Sequence, residues 1–256
     1  MIRLLEERDA GLLERLCEDS PFGCRILSGI RAYGWRRPFL RVWSDGQALF
    51  SLQDDCMTLC GTPEDPQETV AFLHMAGAAV CTGKTEELQG LPFPTVETGV
   101  IVKREAQGDF APPQPLPLPP VRRLYAVLKK AESPRFPVPE FEPFYLDVNH
   151  RLRHQAAAAV CLSEEACALA GAVCEREMLL TAVAVSPEMR RRGLGSRCVR
   201  QLLHAYPGRT VWALRGENEN QEFYARLGFA TAGTWRQCRV LQTEEEKEQT
   251  DESSLF

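Results

Sequence analysis

Three consecutive arginines followed by two glycines form the segment of this chain with the clearest chemical meaning. Residues 190–192 are all arginine, and Gly193 and Gly195 follow them, directly before an apolar repeat of helical spacing that starts at Cys198. The β-branched run at 179–185 predicts a buried strand ahead of them. Free amides at a helix N-terminus bind anions, because the unpaired N–H groups and the helix dipole both favour negative charge. The segment therefore predicts a site for a phosphate or pyrophosphate group.

Two motifs in this part of the chain resemble those of the GCN5-related N-acetyltransferases, the GNAT superfamily. Residues 190–195, Arg-Arg-Arg-Gly-Leu-Gly, resemble the acetyl-CoA signature, in which Gln or Arg is followed by x-x-Gly-x-Gly/Ala. Downstream, Tyr224 stands four residues before a Gly-Phe pair, which is similar to the closing motif of the superfamily. A predicted strand at 210–214 lies between the two motifs. The resemblance covers the chain from about Val121 onward.

The resemblance implies that acetyl-CoA is the cosubstrate and assigns residues to it. By this resemblance, the amides of residues 191–196 bind the pyrophosphate, and main-chain groups of Val183 and Val185 bind the pantetheine arm. Many relatives open the final helix with an asparagine, for which this chain offers Asn218 or Asn220; Asn218 is preferred because it follows the end of a strand. The predicted cofactor-binding residues are Val183, Ala184, Val185, Arg190, Arg191, Arg192, Gly193, Leu194, Gly195, Ser196 and Asn218.

The same resemblance implies that Tyr224 is catalytic. In relatives the hydroxyl points at the acetyl sulfur and protonates or hydrogen-bonds the leaving thiolate. A phenol has an ordinary pKa of about 10 and a thiol one of about 8.5, so the phenol is the protonated partner at neutral pH. The alternative is that Tyr224 is a core aromatic residue beside Phe223.

A general base is not identified by the sequence. The positions at which many relatives carry a glutamate correspond here to Leu179 and Ala213. Acidic and imidazole groups that remain as candidates are Glu175, Glu177, Asp147, His150 and His154. The two histidines lack a third ligand, so no metal site is predicted.

These assignments predict an N-acetyltransferase that moves an acetyl group from acetyl-CoA to a primary amine of a small molecule or protein. Transfer is expected to be direct, within a ternary complex. Because no base is identified, an alternative stays open, namely a non-catalytic acyl-CoA-binding sensor or interaction protein.

The composition is that of an ordinary globular protein. The chain has 256 residues, a formal net charge of −5, 44% hydrophobic residues and 25% charged residues. The acidic balance predicts no binding to nucleic acid or anionic membranes, and no apolar run is long enough to span a bilayer. The first residues lack the apolar core of a signal peptide, so a cytoplasmic protein is expected. The ten cysteines lack metal-site spacing and are expected to be buried free thiols.

The order of predicted elements indicates an α/β fold with a mixed central sheet flanked by helices, GNAT-like and present in two tandem copies. Residues 1–110 are predicted to be a degenerate GNAT-like domain that binds no acetyl-CoA, because both motifs are missing there. Residues 111–120 are rich in proline and predict an extended linker. Residues 121–242 are the predicted catalytic GNAT domain, and the acidic residues 243–256 predict a disordered tail.

Periodicity and turn residues give the expected boundaries of the elements. Asp45-Gly46 predicts a hairpin turn. Helices are predicted at 10–17, 24–33, 121–131, 144–154 and 221–227. A further helix, which the segment 62–66 opens, is predicted to include 70–75. Strands are predicted at 2–5, 39–43, 48–52, 57–60, 78–81, 156–162 and 167–174, with closing strands within 229–240.

Overall fold

The computed structural model describes Met1–Leu241, in which parallel and antiparallel strand pairs confirm the predicted α/β class with a mixed sheet and flanking helices. The predicted tail at 243–256 lies outside the described residues. The strands are β1 (Arg3–Leu4), β2 (Leu40–Ser44), β3 (Leu49–Gln53), β4 (Cys56–Cys60), β5 (Val80–Lys84), β6 (Thr95–Arg104), β7 (Ala158–Cys161), β8 (Ala166–Val173), β9 (Glu177–Val185), β10 (Thr210–Arg215) and β11 (Ala230–Arg239). The helices are α1 (Ala10–Cys17), α2 (Pro21–Tyr33), α3 (Pro66–Met75), α4 (Val121–Ala131), α5 (Phe141–Arg153), α6 (Leu194–Ala205) and α7 (Gln221–Arg226). Among these described helices, none is long and apolar enough to span a bilayer.

The described chain forms two compact units whose segments alternate along the sequence. Unit 1 comprises Met1–Ile26, Trp35–Gly99 and the chain from Gly233 onward, and unit 2 comprises Leu27–Gly34 and Val100–Ala232. Helix α2 and strands β6 and β11 therefore change unit within their length. The predicted linker at 111–120 falls inside unit 2, where the amide of Gln114 donates to the Ala205 carbonyl at 2.8 Å.

Each unit repeats one pattern of strand pairing. In unit 1, β2, β3 and β4 are antiparallel neighbours, β5 is parallel to β4, and β11 is antiparallel to β5. In unit 2, β7, β8 and β9 are antiparallel neighbours, β10 is parallel to β9, and β6 is antiparallel to β10. One helix connects each parallel pair, α3 in unit 1 and α6 in unit 2. The last strand of each unit comes from the opposite half of the chain, β11 for unit 1 and β6 for unit 2.

The sheet of unit 2 is buried on both faces. Successive residues from Ala157, which precedes β7, to Val160 point alternately to two cores. Ala157 and Ala159 pack with α4 and α5 on one face, whereas Ala158 and Val160 pack with α6 on the other. Burial on both faces explains why the strand is a continuous apolar run in the sequence, without polar alternation. Helix α4 contributes buried residues at helical spacing to the core that contains Ala157 and Ala159: Val121, Leu124, Val127, Leu128 and Ala131.

Most predicted elements are confirmed to within three or four residues, but one strand was missed and one prediction was wrong. Strand β6 was not predicted, because its first four residues, 95–98, are exposed and polar residues interrupt the apolar run. The segment 229–240 forms the single strand β11 and not several short strands. The expectation of buried free thiols is confirmed for eight of the ten cysteines, whereas Cys56 is exposed and Cys161 is partly exposed.

The unpredicted strand β6 supplies a test of the fold. Ile101 is 0% exposed and pairs with Leu214, whereas Val96 in the same strand is 45% exposed. We expect Ile101→Ala to lower the free energy of unfolding by about 2–5 kcal/mol through the cavity it leaves. Val96→Ala, the matched control, should cost about 0.5 kcal/mol or less. Urea denaturation of both variants is the measurement, and equal losses would contradict the burial of β6.

Candidate functional site

Strands β9 and β10 separate halfway along their length. The parallel register joins Thr210–Ala213 to residues 177–180 and ends at the pair Ala213 and Leu180. Strand β9 continues to Val185, with β8 as its described partner, and β10 continues to Arg215 beside β6. The edge of residues 182–185 that faces β10 therefore has no partner in the described ladder. Such an edge offers backbone N–H and C=O groups to an extended ligand.

A double irregularity in the β8–β9 ladder lies at the point of separation. The register passes from Leu169–Ala182 to Ala170–Leu180, which leaves Thr181 as an extra residue, and Gly171 is the extra residue on β8 directly afterwards. A Cβ at Gly171 would lie 2.7 Å from the Thr181 Oγ1, so this position requires glycine. Because bulges bend a strand and increase its twist, this one turns the end of β9 away from β10.

The loop between β9 and α6 presents an uncapped helix N-terminus. Arg191 and Gly193 have left-handed backbone, with φ of 63° and 76°, and no side chain caps the start of α6. The first-turn amides of a helix have no acceptor within the helix, so those of residues 193–196 are available to a ligand. Arg190, Arg191 and Arg192 are exposed around them, and the Arg190 Nε donates to the Val185 carbonyl at 3.3 Å. The arrangement suits a phosphate or pyrophosphate group.

Gly195 brings the end of β9, the start of α6 and helix α7 together. A Cβ on Gly195 would lie 3.4 Å from methyl groups of both Val183 and Val185, and 3.5 Å from the Phe223 ring. Val183 and Val185 point to this side of the sheet, whereas Ala184 is buried toward α4 and α5. Val183, Val185, Gly195 and Phe223 therefore lie together on one side of the sheet, and the opening between the ends of β9 and β10 is named here the slot.

Tyr224 lies on α7 and packs in the same core as Val183 and Val185. Its ring makes edge contacts with Phe223 and Phe229, at centroid distances of 5.2 and 5.4 Å. Burial raises the pKa of the Tyr224 hydroxyl to about 12, and the positive charge of Arg215 acts in the opposite direction. A phenol in this environment stays protonated across the physiological range and acts as a hydrogen-bond donor.

Arg215 holds the loop between β10 and α7, and sequence reasoning did not identify it. The side chain is 8% exposed, and its Nη1 donates to the carbonyls of Gly216, Glu217 and Glu219. Asn218 lies in the same loop and is exposed. A charged residue at the end of a buried strand was the signal in the sequence, because a buried cation needs acceptors. Those acceptors fix the loop from which Asn218 projects.

Two of the candidates for a general base have structural partners. The carboxylate of Asp147 accepts from the Tyr33 hydroxyl at 2.5 Å and from the Arg151 Nε at 2.8 Å. The His150 ring stacks on Tyr33 and its Nε2 lies 2.7 Å from the Ala32 carbonyl oxygen. These contacts tie α5 to the 27–34 segment of α2. In the described residues, no group of three or more His, Cys, Asp or Glu side chains could hold a metal ion.

In the corresponding region of unit 1, the N-terminus of the connecting helix is capped by a side chain. Helix α3 begins with Pro66, which has no N–H, and the Asp65 carboxylate accepts from the amides of Gln67 and Glu68. The parallel strands also stay close beyond their last pair, since a Cβ on Gly83 would lie 3.1 Å from the Leu59 carbonyl oxygen. At α3, the Asp65 carboxylate therefore accepts the hydrogen bonds that an anionic ligand would accept at an uncapped helix N-terminus.

Comparison with known proteins finds similarity in this part of unit 2. Residues 154–231 match the family model of the acetyltransferase (GNAT) domain. A GCN5-related N-acetyltransferase from Kribbella flavida aligns with a TM-score of 0.56 and 17% identity over 88% of this chain and 97% of its own. A second GCN5-related N-acetyltransferase, from Sphaerobacter thermophilus, aligns with a TM-score of 0.56 and 12% identity over 94% of this chain and 96% of its own.

A tandem GNAT protein from the clavulanic acid biosynthesis pathway aligns with a TM-score of 0.53 and 11% identity, over 95% of this chain and 99% of its own. At these identities the structural likeness establishes the fold alone. The comparison with curated proteins finds no match.

Proposed function

We propose that this chain, a member of the GNAT superfamily through its domain at 154–231, uses unit 2 to transfer an acetyl group from acetyl-CoA directly to a primary amine. The observation that carries the proposal is the slot between β9 and β10, with an unpaired strand edge along its side and an uncapped helix at its end. An extended arm that ends in a pyrophosphate is the ligand chemistry that matches both features.

The backbone groups of the slot fit acetyl-CoA. Main-chain groups of Val183 and Val185 would pair with the pantetheine amides as a neighbouring strand does, and the amides of residues 191–196 would bind the pyrophosphate. The exposed arginines at 190–192 would add charge attraction, which strengthens hydrogen bonds to phosphate oxygens. An amide of β9 near the bulge at Thr181 would polarise the thioester carbonyl.

Tyr224 would donate a hydrogen bond to the sulfur as the carbon–sulfur bond breaks. With its pKa raised to about 12, the hydroxyl favours hydrogen-bond donation over complete proton transfer to a thiolate with a pKa of about 8.5. The amine nitrogen attacks the acetyl carbonyl, the thiolate leaves, and the surplus amine proton passes to water. Positioning and charge stabilisation supply the rate enhancement.

Unit 1 is proposed to bind no acetyl-CoA. Its helix α3 is capped by Asp65, and its parallel strands remain in close contact at Gly83. In unit 1, contacts within the protein thus replace both the uncapped helix N-terminus and the unpaired strand edge of unit 2. One molecule of acetyl-CoA per chain follows.

Gly193 tests the anion loop. Gly193→Val should abolish measurable acetyl-CoA binding, because a β-branched residue is strained at φ 76° and would move the loop amides. Gly77→Val is the matched control, since Gly77 also has φ 76° and a Cβ at either glycine has no atom within 4 Å. Both variants should lose about 1–3 kcal/mol of stability from strain. Calorimetry should show lost binding in Gly193→Val alone; unchanged binding there would overturn the loop assignment.

Tyr224→Phe tests catalysis apart from packing. We expect kcat to fall by roughly 100-fold while acetyl-CoA affinity is nearly kept, because only the donor to the leaving sulfur is lost. Stability should change by about 1 kcal/mol or less. Tyr206→Phe is the control, since burial also raises the pKa of Tyr206. In the unchanged protein, Tyr224 should cause no loss of rate between about pH 7 and 10, because its pKa is about 12.

Full turnover by Tyr224→Phe would instead show that Tyr224 contributes to packing and has no role in catalysis. No turnover on any amine, with acetyl-CoA binding intact in the unchanged protein, would favour the acyl-CoA sensor. Thiol release measured on a panel of amines separates these outcomes.

The stoichiometry of binding tests the role of unit 1. Titration of the full chain with acetyl-CoA should give one site per chain, and Gly193→Val should reduce this to none. Two sites, or one site that survives in Gly193→Val, would show that unit 1 binds the cosubstrate.

A further inference from the structure

Unit 2 contains a second polar site, a cavity of about 530 Å³ named here the basic cavity. Five of its lining residues carry or can carry positive charge: Arg104, Arg200, His204, Arg209 and Arg226. They come from the end of β6, the second half of α6, the turn before β10 and the end of α7. As described, the lining contains neither Tyr224 nor any residue of the loop at 190–196. The volume is within the range of small-molecule sites.

Two of these arginines, the half-buried Arg104 and the buried Arg209, have no carboxylate partner in the described structure. Arg104 donates from its Nε to the Leu227 carbonyl at 3.2 Å and from an Nη to the Gln107 side chain. Arg209 is 4% exposed, and its Nη1 donates to the carbonyls of Ala111 and Pro207. Its Nε is buried and lacks a hydrogen-bond partner among the described residues. The Arg209 guanidinium also lies over the Phe110 and Tyr206 rings, at 4.8 and 5.2 Å from their centroids. Burial lowers the pKa of both guanidinium groups.

The surrounding charges do not neutralise the cavity. Its described lining includes no Asp or Glu. Arg226 forms an ion pair with Glu222 at 3.7 Å, and both side chains are exposed. After burial itself, the effects on the pKa of Arg209 are, in decreasing order, a rise from Tyr206, a fall from the positive charge of Arg31 and a rise from Glu175. A buried cation without a compensating anion is costly, so the cavity is suited to an anion from outside.

We propose that the basic cavity binds a phosphate-bearing small molecule. Arginine is the side chain best matched to phosphate oxygens, and here the arginines come from four different elements around one space. A tetrahedral phosphate has oxygens on several sides and uses such an arrangement, whereas a planar carboxylate is satisfied by one arginine. The side chains of Gln107, Gln114 and Tyr206 add neutral donors for the rest of the ligand. This site is independent of acetyl transfer.

The test is titration calorimetry of the full chain with pyrophosphate, AMP and citrate, each in the absence and presence of saturating CoA. The saturating CoA occupies the slot of β9, so binding that survives belongs to another site. We expect pyrophosphate or AMP to bind with CoA present, and the tighter of the two shows whether the natural ligand is a free polyphosphate or a nucleotide. Citrate should bind at least about tenfold more weakly.

Variants identify the cavity as the site. Arg200 is exposed on α6 and has no described partner, so Arg200→Gln should fold normally and weaken phosphate binding by about tenfold or more, the effect of one charge-assisted hydrogen bond. Arg104→Gln should have the same direction of effect. Arg123→Gln, an exposed arginine on α4, is the control and should leave binding unchanged.

Three results would overturn the proposal: no phosphate binding with CoA present, equal weakening by Arg123→Gln, or equal affinity for citrate. Acetyl-CoA binding and turnover are measured separately from phosphate binding. A negative result in the phosphate titrations therefore leaves the proposed transferase activity unaffected, and a negative result in the transferase assays leaves the proposal for the basic cavity unaffected.

Discussion

The separation of β9 from β10 beyond Leu180 and Ala213 is the constraint on which the rest of unit 2 depends. Unpaired backbone groups inside a protein are unfavourable, so a strand edge of this kind persists only where surrounding contacts hold it open. The bulge at Thr181 bends the strand, and Gly171 makes room for that bend. The close packing of α6 on the end of β9 at Gly195 then fixes the helix N-terminus beside the edge.

The two units show how one arrangement of elements is used in two ways. Both connect a parallel strand pair by a helix, but the helix of unit 1 receives a carboxylate from its own chain and the helix of unit 2 begins without one. A single N-cap residue thus distinguishes a self-contained helix from one that can bind an anion. The sequence difference is small, Asp65-Pro66 against Gly193-Leu194, and the electrostatic difference is large because it lies where the helix dipole is strongest.

The sequence was most informative where the physical signal is local. Helices α1 and α4 were predicted with their observed bounds, because their apolar spacing lies within the segment itself. Strand β6 was missed because its first four residues are exposed, and its pairing with β10 depends on residues far along the chain. The bulge at Thr181 has no sequence signature beyond Gly171, and the acceptors of Arg215 exist only once the following loop has folded. The exchange of β6 and β11 is likewise a property of long-range pairing.

That exchange makes the order of protein synthesis matter. The edge of β5 is covered by β11, which is among the last segments of the described chain to be made, so unit 1 has a long interval in translation with an open strand edge. Pairings between distant segments form slowly, and open edges promote association with other chains. Unit 2 also takes residues 27–34 and 100–104 from the first half of the chain. A gene divided at the proline-rich segment would therefore yield two incomplete products, and only a piece that extends from β1 to β11 contains all the described strands of both units.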